Sequence, residues 1–271
     1  MPATTPKLKI KSVQRFGGDW LNIILTGNTF DDAVETCFND LKESEIATAS
    51  FNFYSSVAAV FSSKIEGENI ALDDFIKHQL HQVSYQPDYT RKIDDLYEAY
   101  QFAASNALNF SNLKLVHSLI TKHILKTHQQ GVLRSGNMFV VAGSGKIEYV
   151  AAAPHLVAEY VELLFEDINF LLNTKLTFAE VLFFASMVHL VFVKIHPFND
   201  GNGRTARLLE KWFLAEKLGA KAWFVESERY YHEHYDLYFA NIRKLGLEYD
   251  QLDYLESQAF TLMLPTSIIR K

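Results

Sequence analysis

Cysteine is nearly absent: Cys37 is the only one in 271 residues, so no disulfide can form within the chain. That suits a reducing compartment, and a cytoplasmic location is the expectation. Cys37 itself reads as a small buried apolar residue. An excess of positive charge is also missing. With 26 Lys and Arg against 32 Asp and Glu, the formal net charge is -6, which argues against a long nucleic-acid groove and leaves room only for a local basic site. The N-terminus, Met1-Pro2-Ala3-Thr4-Thr5-Pro6, lacks the apolar core of a signal peptide. The strongest membrane candidate, Val181 to Val193, contains His189 and is closed by Glu180 and Lys194. It falls short of a span of roughly 20 residues and reads as a buried core helix, apolar all round because it is enclosed. No repeat, low-complexity tract or long linker divides the chain.

What is present is an apolar fraction of 48%, ordinary for a sizeable core, arranged mostly at helical spacing. The periodicity predicts helices over Asp31 to Leu41, Tyr54 to Glu66 with a stop at Gly67, Leu72 to Val83, and Tyr89 to Ala107. Further helices are expected over Ser111 to Leu125, Pro154 to Leu172, Phe178 to Lys194, Thr205 to Leu218, Glu228 to Leu245 and Tyr249 to Leu262. Tyr85-Gln86-Pro87-Asp88 reads as a break, because proline disfavours helix in the residue before it. Residues before about Thr29 carry mixed strand and turn signals. Met138 to Val141 and Lys146 to Val150 flank Gly143-Ser144-Gly145 and read as one hairpin. The expected fold class is mainly all-α with one β-hairpin.

Chemistry concentrates in His196-Pro197-Phe198-Asn199-Asp200-Gly201-Asn202-Gly203-Arg204-Thr205-Ala206-Arg207. An apolar run enters it and an amphipathic pattern leaves it. If a helix begins near Asn202, its first N–H groups have no partner within the helix. Gly201 and Gly203 would let those groups approach a ligand closely, and the helix dipole adds positive charge there. That is an anion site, with Arg204 and Arg207 as phosphate donors. Asp200 can hold Mg²⁺, which shares its hard oxygen ligands with phosphates. A neutral His196 across the turn can take a proton from an incoming hydroxyl. Phe198 is expected to point inward.

Those twelve residues match every specified position of H-x-F-x-[D/E]-G-N-G-R-x-x-R, and the chain thereby resembles the Fic (filamentation induced by cAMP) family. The resemblance implies a helical Fic fold and adenylyl transfer (AMPylation): a Ser, Thr or Tyr hydroxyl of a protein, the chain itself included, attacks the α-phosphate of ATP. It implies His196 as general base, Asp200 as Mg²⁺ ligand, Asn202 as a phosphate-positioning residue, and Gly201 and Gly203 as the anion hole. Arg204 and Arg207 would hold the β- and γ-phosphates. The hairpin, about 137 to 150, resembles the family's flap, which implies target docking by strand addition at Met138, Phe139, Val140, Ile147 and Tyr149. Gly203 favours AMPylation over the phosphorylating Doc branch, which carries Lys there, and Gly201 separates the chain from a phosphocholine-transferring relative.

Ser62-Ser63-Lys64-Ile65-Glu66-Gly67 resembles the family's inhibitory motif, [S/T]-x-x-x-E-[G/N], through Ser62, Glu66 and Gly67. Ser62 and Glu66 share one helix face, and a carboxylate on Arg207 would occupy the donor meant for the γ-phosphate. The implied class has its inhibitory helix N-terminal to the core. The expected division is an N-terminal segment over 1–85 with the inhibitory helix at about 54–67, a catalytic core over 86–245, and a C-terminal helix and tail over 246–271. Tyr235, Tyr238 and Asn241 are candidates for the adenine side. Expected partners are ATP and a protein with a modifiable hydroxyl, with no nucleic acid and no membrane; homo-oligomer formation stays open. Two alternatives remain: removal of AMP from a modified protein, alone or alongside transfer, using Glu66; and a nucleotide-responsive binding module with vestigial catalysis.

Overall fold

A computed structural model describes residues 32–41, 50–141 and 147–269. The strand and turn signals before Thr29 and the Gly143-Ser144-Gly145 turn lie outside them. In chain order come α1 (Asp32–Asn39), α2 (Ser50–Ile65), α3 (Leu72–His81), α4 (Pro87–Ala104) and α5 (Phe110–Ile120). An antiparallel pair follows, β1 (Phe139–Val141) with β2 (Ile147–Val150). Then come α6 (Val157–Leu172), α7 (Phe178–Ile195), α8 (Asn202–Leu218), α9 (Ser227–Glu233) and α10 (Tyr235–Arg243). The short α11 (Gln258–Thr261) and α12 (Met263–Ile269) close the described chain. It is a mostly helical fold with one small antiparallel hairpin, as expected.

Helix α7 lies at the centre for a reason visible in its composition. Every residue from Val181 to Ile195 is buried, Lys194 included, because a helix apolar on all faces is stable only when enclosed. It is the one helix among the described residues long and apolar enough to cross a membrane, and 83% of that window is buried inside the fold. Its start is fixed by a capping box: the Thr177 hydroxyl accepts from the Glu180 N–H, and the Glu180 carboxylate accepts from the Thr177 N–H. Helix α8 packs along α7 and also touches α2, α4, α5 and α6. The motif loop is the connection between these two most buried helices. Helix α4 begins at Pro87, where a missing N–H does no harm.

Two C-terminal expectations need correction. Glu228 to Leu245 is not one helix: His234 leaves helical geometry (φ -117, ψ 42) and separates α9 from α10. Its ring stacks on Tyr230 with centroids 4.1 Å apart, and its Nδ1 hydrogen-bonds the Tyr230 carbonyl, a local side-chain bond that competes with helix continuation. Tyr249 to Leu262 is likewise divided, into 3₁₀ turns at Tyr249–Gln251 and Tyr254–Ser257 followed by α11. The Asp253 N–H donates to the Leu245 carbonyl at 2.8 Å and its carboxylate accepts from the Leu255 N–H at 2.9 Å, turning the chain back there. Beyond it, Pro265 sits in the first turn of α12, where proline is tolerated.

In the hairpin, Phe139 faces Val150 and Val140 faces Tyr149, with an irregularity between Val140 and Val141. The far edge of β2 is tied to the segment after α10, where the Val150 N–H donates to the Leu247 carbonyl at 2.8 Å.

Candidate active site

The corner between α7 and α8 starts from a covalent fact. The carbonyl of Val193 would accept from the fourth residue on, but that residue is Pro197, which has no N–H. His196 turns out of the helix in left-handed conformation (φ 52), its own N–H still bonded to the Phe192 carbonyl. This places its Nδ1 3.3 Å from the Val193 carbonyl oxygen and 3.1 Å from the Tyr149 hydroxyl. A carbonyl can only accept, so Nδ1 carries the proton and Nε2 keeps its lone pair. Burial pushes the imidazole pKa down to about 4, with the Arg134 charge acting in the same direction; the Val193 bond, Glu66 and Asp200 oppose it. At neutral pH the ring is therefore an uncharged base.

Two residues that the sequence does not single out hold the corner in shape. Arg134, 3% exposed, spreads its guanidinium over four carbonyls: His196 at 2.6 Å, Ile195 at 3.1 Å, Ala152 at 2.6 Å and Gly136 at 2.7 Å. Its backbone N–H donates to the Pro197 carbonyl. His117 lies flat against Phe198, ring centroids 3.7 Å apart. Its Nδ1 accepts from the Gly131 N–H at 2.8 Å, so its Nε2 carries the proton and donates to the Asp200 carbonyl at 2.9 Å. Burial lowers its pKa to about 4, consistent with a ring that must stay neutral to keep both bonds. Phe198 is fully buried, as expected.

Asn202 shapes the motif loop. Its Oδ1 accepts from the Phe198 N–H and its Nδ2 donates to the Phe198 carbonyl, both at 2.9 Å. The side chain thereby ties the loop back on itself at the start of α8. Gly201 has φ 75, and a Cβ there would lie 2.6 Å from Thr121 Cγ2 at the end of α5, so glycine is required on two counts. Asp200 is exposed; its Oδ1 accepts from the Gly201 N–H at 2.6 Å. No cluster of three or more His, Cys, Asp or Glu side chains that could hold a metal exists among the described residues. A lone carboxylate beside an anion site fits Mg²⁺, which is commonly held by one or two carboxylates and the phosphates themselves.

Helix α8 does begin at Asn202, and its N-terminus is already covered by a carboxylate. A Cβ on Gly203 would run into Glu66 Oε1. That oxygen is 2.6 Å from Arg207 Nη2, while Arg207 Nε donates to the Ser62 hydroxyl at 2.8 Å and Nη2 to the Ser62 carbonyl at 3.0 Å. Burial pushes the Glu66 pKa up, but Arg207 and Arg204 outweigh it and the net shift is downward. The Glu66 side chain nonetheless remains 30% exposed. Gly67 follows at φ 90 and lets the chain leave α2. Sequence reasoning missed Glu68, whose Oε1 stands 3.7 Å from Arg204 Nη2 and 2.7 Å from Lys92 Nζ. Arg204 is itself buried, and its Nε has no hydrogen-bond partner among the described residues.

A cleft of about 840 Å³ opens over this corner, bounded by Glu66, Tyr149, His196, Arg207, Tyr235 and Phe239 among others. Of the adenine-side candidates, Tyr235 lines it and is exposed. Tyr238 is only 1% exposed, and its hydroxyl takes Arg207 Nη1 at 3.4 Å and meets His189 Nε2 at 2.9 Å. It braces the guanidinium and also lines the cleft. Asn241 points away, donating to the Ala259 carbonyl. On the hairpin, Phe139 and Ile147 are exposed, Met138 and Val140 half-buried, and Tyr149 is turned inward at 3%.

Residues 107–214 match the Fic/DOC family model, so this part of the chain is similar to Fic/DOC domains. The fold agrees across nearly the whole chain. A Fic family protein from Desulfovibrio desulfuricans G20 superposes with a TM-score of 0.67 at 18% identity, covering 98% of this chain and 74% of that one. A Fic domain containing signaling protein from Bacteroides thetaiotaomicron gives 0.63 at 17% identity, covering 96% and 93%. Fic-1 from Caenorhabditis elegans gives 0.60 at 16% identity, covering 95% and 69%. Among curated sequences, protein adenylyltransferase fic-1 of Caenorhabditis briggsae is 37% identical over 112 residues, 38% of this chain and 21% of the relative. A separate stretch of similarity, 49% over 43 residues, links 16% of this chain to 9% of L-threonine dehydratase biosynthetic IlvA of Halalkalibacterium halodurans. The chain thus matches less than a quarter of the length of either curated relative.

Proposed function

We propose that the chain transfers the AMP moiety of ATP to a Ser, Thr or Tyr hydroxyl of a protein, and that Glu66 holds this activity in check. The observation that carries the proposal is the Glu66 carboxylate seated on Arg207 at the start of α8, beside an imidazole whose Nε2 lone pair is free. One carboxylate thereby marks where a phosphate belongs. In the reaction, the target hydroxyl oxygen bonds to the α-phosphorus and the bond from that phosphorus to the pyrophosphate breaks. The hydroxyl proton passes to His196 Nε2, and pyrophosphate leaves. The first N–H groups of α8, with Arg204 and Arg207, neutralise charge on the phosphates. Mg²⁺ held by Asp200 would add charge neutralisation at the same phosphates.

With Glu66 in place, Arg207 is occupied and the triphosphate cannot adopt the pose for in-line attack. Incubation with α-labelled ATP and Mg²⁺ tests this. Label transfer to the chain itself or to lysate proteins is expected to rise at least tenfold in Glu66→Gly, about 1.4 kcal/mol of released restraint, and to vanish in Glu66→Gly/His196→Ala. Equal labelling by wild type and Glu66→Gly would remove the brake. Tight ATP binding by Glu66→Gly with no label transfer would favour a nucleotide-responsive module. A second reading has support in the exposure of Glu66: a carboxylate facing the cleft can orient a water for removal of AMP. Loss of label from an AMP-modified target, dependent on Glu66, would establish it.

A further inference from the structure

Tyr149 belongs by sequence to the hairpin expected to dock a target, yet it faces the opposite way. It is 3% exposed, its hydroxyl lies 3.1 Å from His196 Nδ1, and the two rings meet edge to face with centroids 6.0 Å apart and planes at 67°. The phenol is fixed from three sides. Lys194 Nζ lies 4.4 Å from the ring centroid and is itself anchored on the Gly246 carbonyl at 3.1 Å. The strand that carries it pairs with β1 through Val140 on one edge and with Leu247 on the other. Its neighbour Glu148 forms an ion pair with Arg243 at 2.6 Å.

We infer that Tyr149 is the positioning residue of the catalytic base. The Val193 carbonyl cannot donate, so Nδ1 bears the proton, and the phenol oxygen must act as its second acceptor. The long 3.3 Å bond to Val193 leaves the ring plane loosely held by itself. The shorter contact to a phenol locked in a strand sets that plane and with it the direction of the Nε2 lone pair. The phenol holds the ring in the tautomer that the Val193 carbonyl selects. If its hydrogen pointed at Nδ1, the proton would sit on Nε2 and the neutral ring would be no base toward the cleft.

The kinetic part of this inference rests on the AMP-transfer proposal; the tautomer part does not. Tyr149→Phe keeps the ring and its contact with Lys194 and removes only the hydroxyl. The first measurement is ¹⁵N NMR of histidine-labelled full-length protein, with the His196 signals identified by their loss in His196→Ala. Wild type is expected to show a protonated Nδ1 and a bare Nε2; Tyr149→Phe is expected to show averaged or broadened shifts at both nitrogens. Superimposable His196 signals in a folded Tyr149→Phe protein would overturn the inference. The second measurement is label transfer in a Glu66→Gly background, where Tyr149→Phe should lower kcat about tenfold and leave KM for ATP within about twofold, as for a group that acts only on the chemical step. A raised KM with unchanged kcat would make Tyr149 an ATP contact and would also overturn it. If Glu66→Gly transfers no label at all, AMP transfer fails as a function while the NMR result still decides the role of Tyr149.

Discussion

Pro197 withholds an N–H, the Val193 carbonyl turns to an imidazole, and the base acquires its tautomer. The same corner sets its pKa. Burial holds His196 at about 4, so the neutral form dominates from about pH 5 upward. Label transfer by Glu66→Gly should therefore lose its base near pH 4 or below, since removing Glu66 also removes a charge that raises the imidazole pKa. An acid limb centred near 6.5, the ordinary value, would mean that the ring is solvated and the corner open to water. The residue scale also explains Gly201. Alanine there would adopt φ 75 and press Cβ against Thr121, so Gly201→Ala should lower unfolding stability by roughly 1–3 kcal/mol in urea titrations. A change below about 0.5 kcal/mol, the scale of an ordinary surface substitution, would show that α5 does not wall the loop.

Among the elements, α2 bears on function most directly, because its C-terminal end supplies Ser62 and Glu66 to Arg207 and the residues just beyond supply Glu68 to Arg204. Each motif arginine thus faces a carboxylate from one short stretch. Glu66→Gly leaves the Glu68 pair standing, so Glu66→Gly/Glu68→Gln should label faster than Glu66→Gly, by roughly two- to fivefold if the pair has the strength of a partly exposed ion pair. Equal initial rates would reduce Glu68 to a tether for Lys92. The elements also show what a sequence can carry. Helix α7 was legible from its unbroken apolar run, and the hairpin from its glycine-bracketed β-rich halves. The motif loop was legible because its chemistry is contiguous over twelve residues. Arg134 and His117 were not, because they act on carbonyls 62 and 83 residues away, and a backbone acceptor leaves no mark on the residue that offers it. The break at His234 escaped notice for a related reason: periodicity continues on both sides, and only the local bond to Tyr230 interrupts the helix.

At the scale of the molecule, the interior holds several buried charged side chains, and three of their pairs converge on α8. Arg207 meets Glu66, Glu210 meets His189 at 2.8 Å, and Lys211 meets Glu228, with Arg207, Glu210 and Lys211 at most 1% exposed. Such pairs add little net stability but are costly to break, so they fix the helix that presents the anion site in one rotation. Lys194 stands apart from these pairs. It is fully buried, and the Glu148 carboxylate nearest to it is already paired with Arg243. Burial accordingly lowers the Lys194 pKa to about 7, against the opposing pull of Glu148. The sign of the consequence follows from proton counts. Between the folded value near 7 and the ordinary value near 10.4, the unfolded chain binds the proton that the folded chain has released. Folding stability from this residue therefore rises with pH across that window and is flat below it. Lys194→Met lacks the titrating group, so the stability of wild type relative to Lys194→Met should grow by about 2 kcal/mol between pH 7 and pH 9, read from paired urea unfolding curves. Parallel pH dependences would show that the ammonium keeps its proton in the fold, and that Tyr149 rests against a permanent charge.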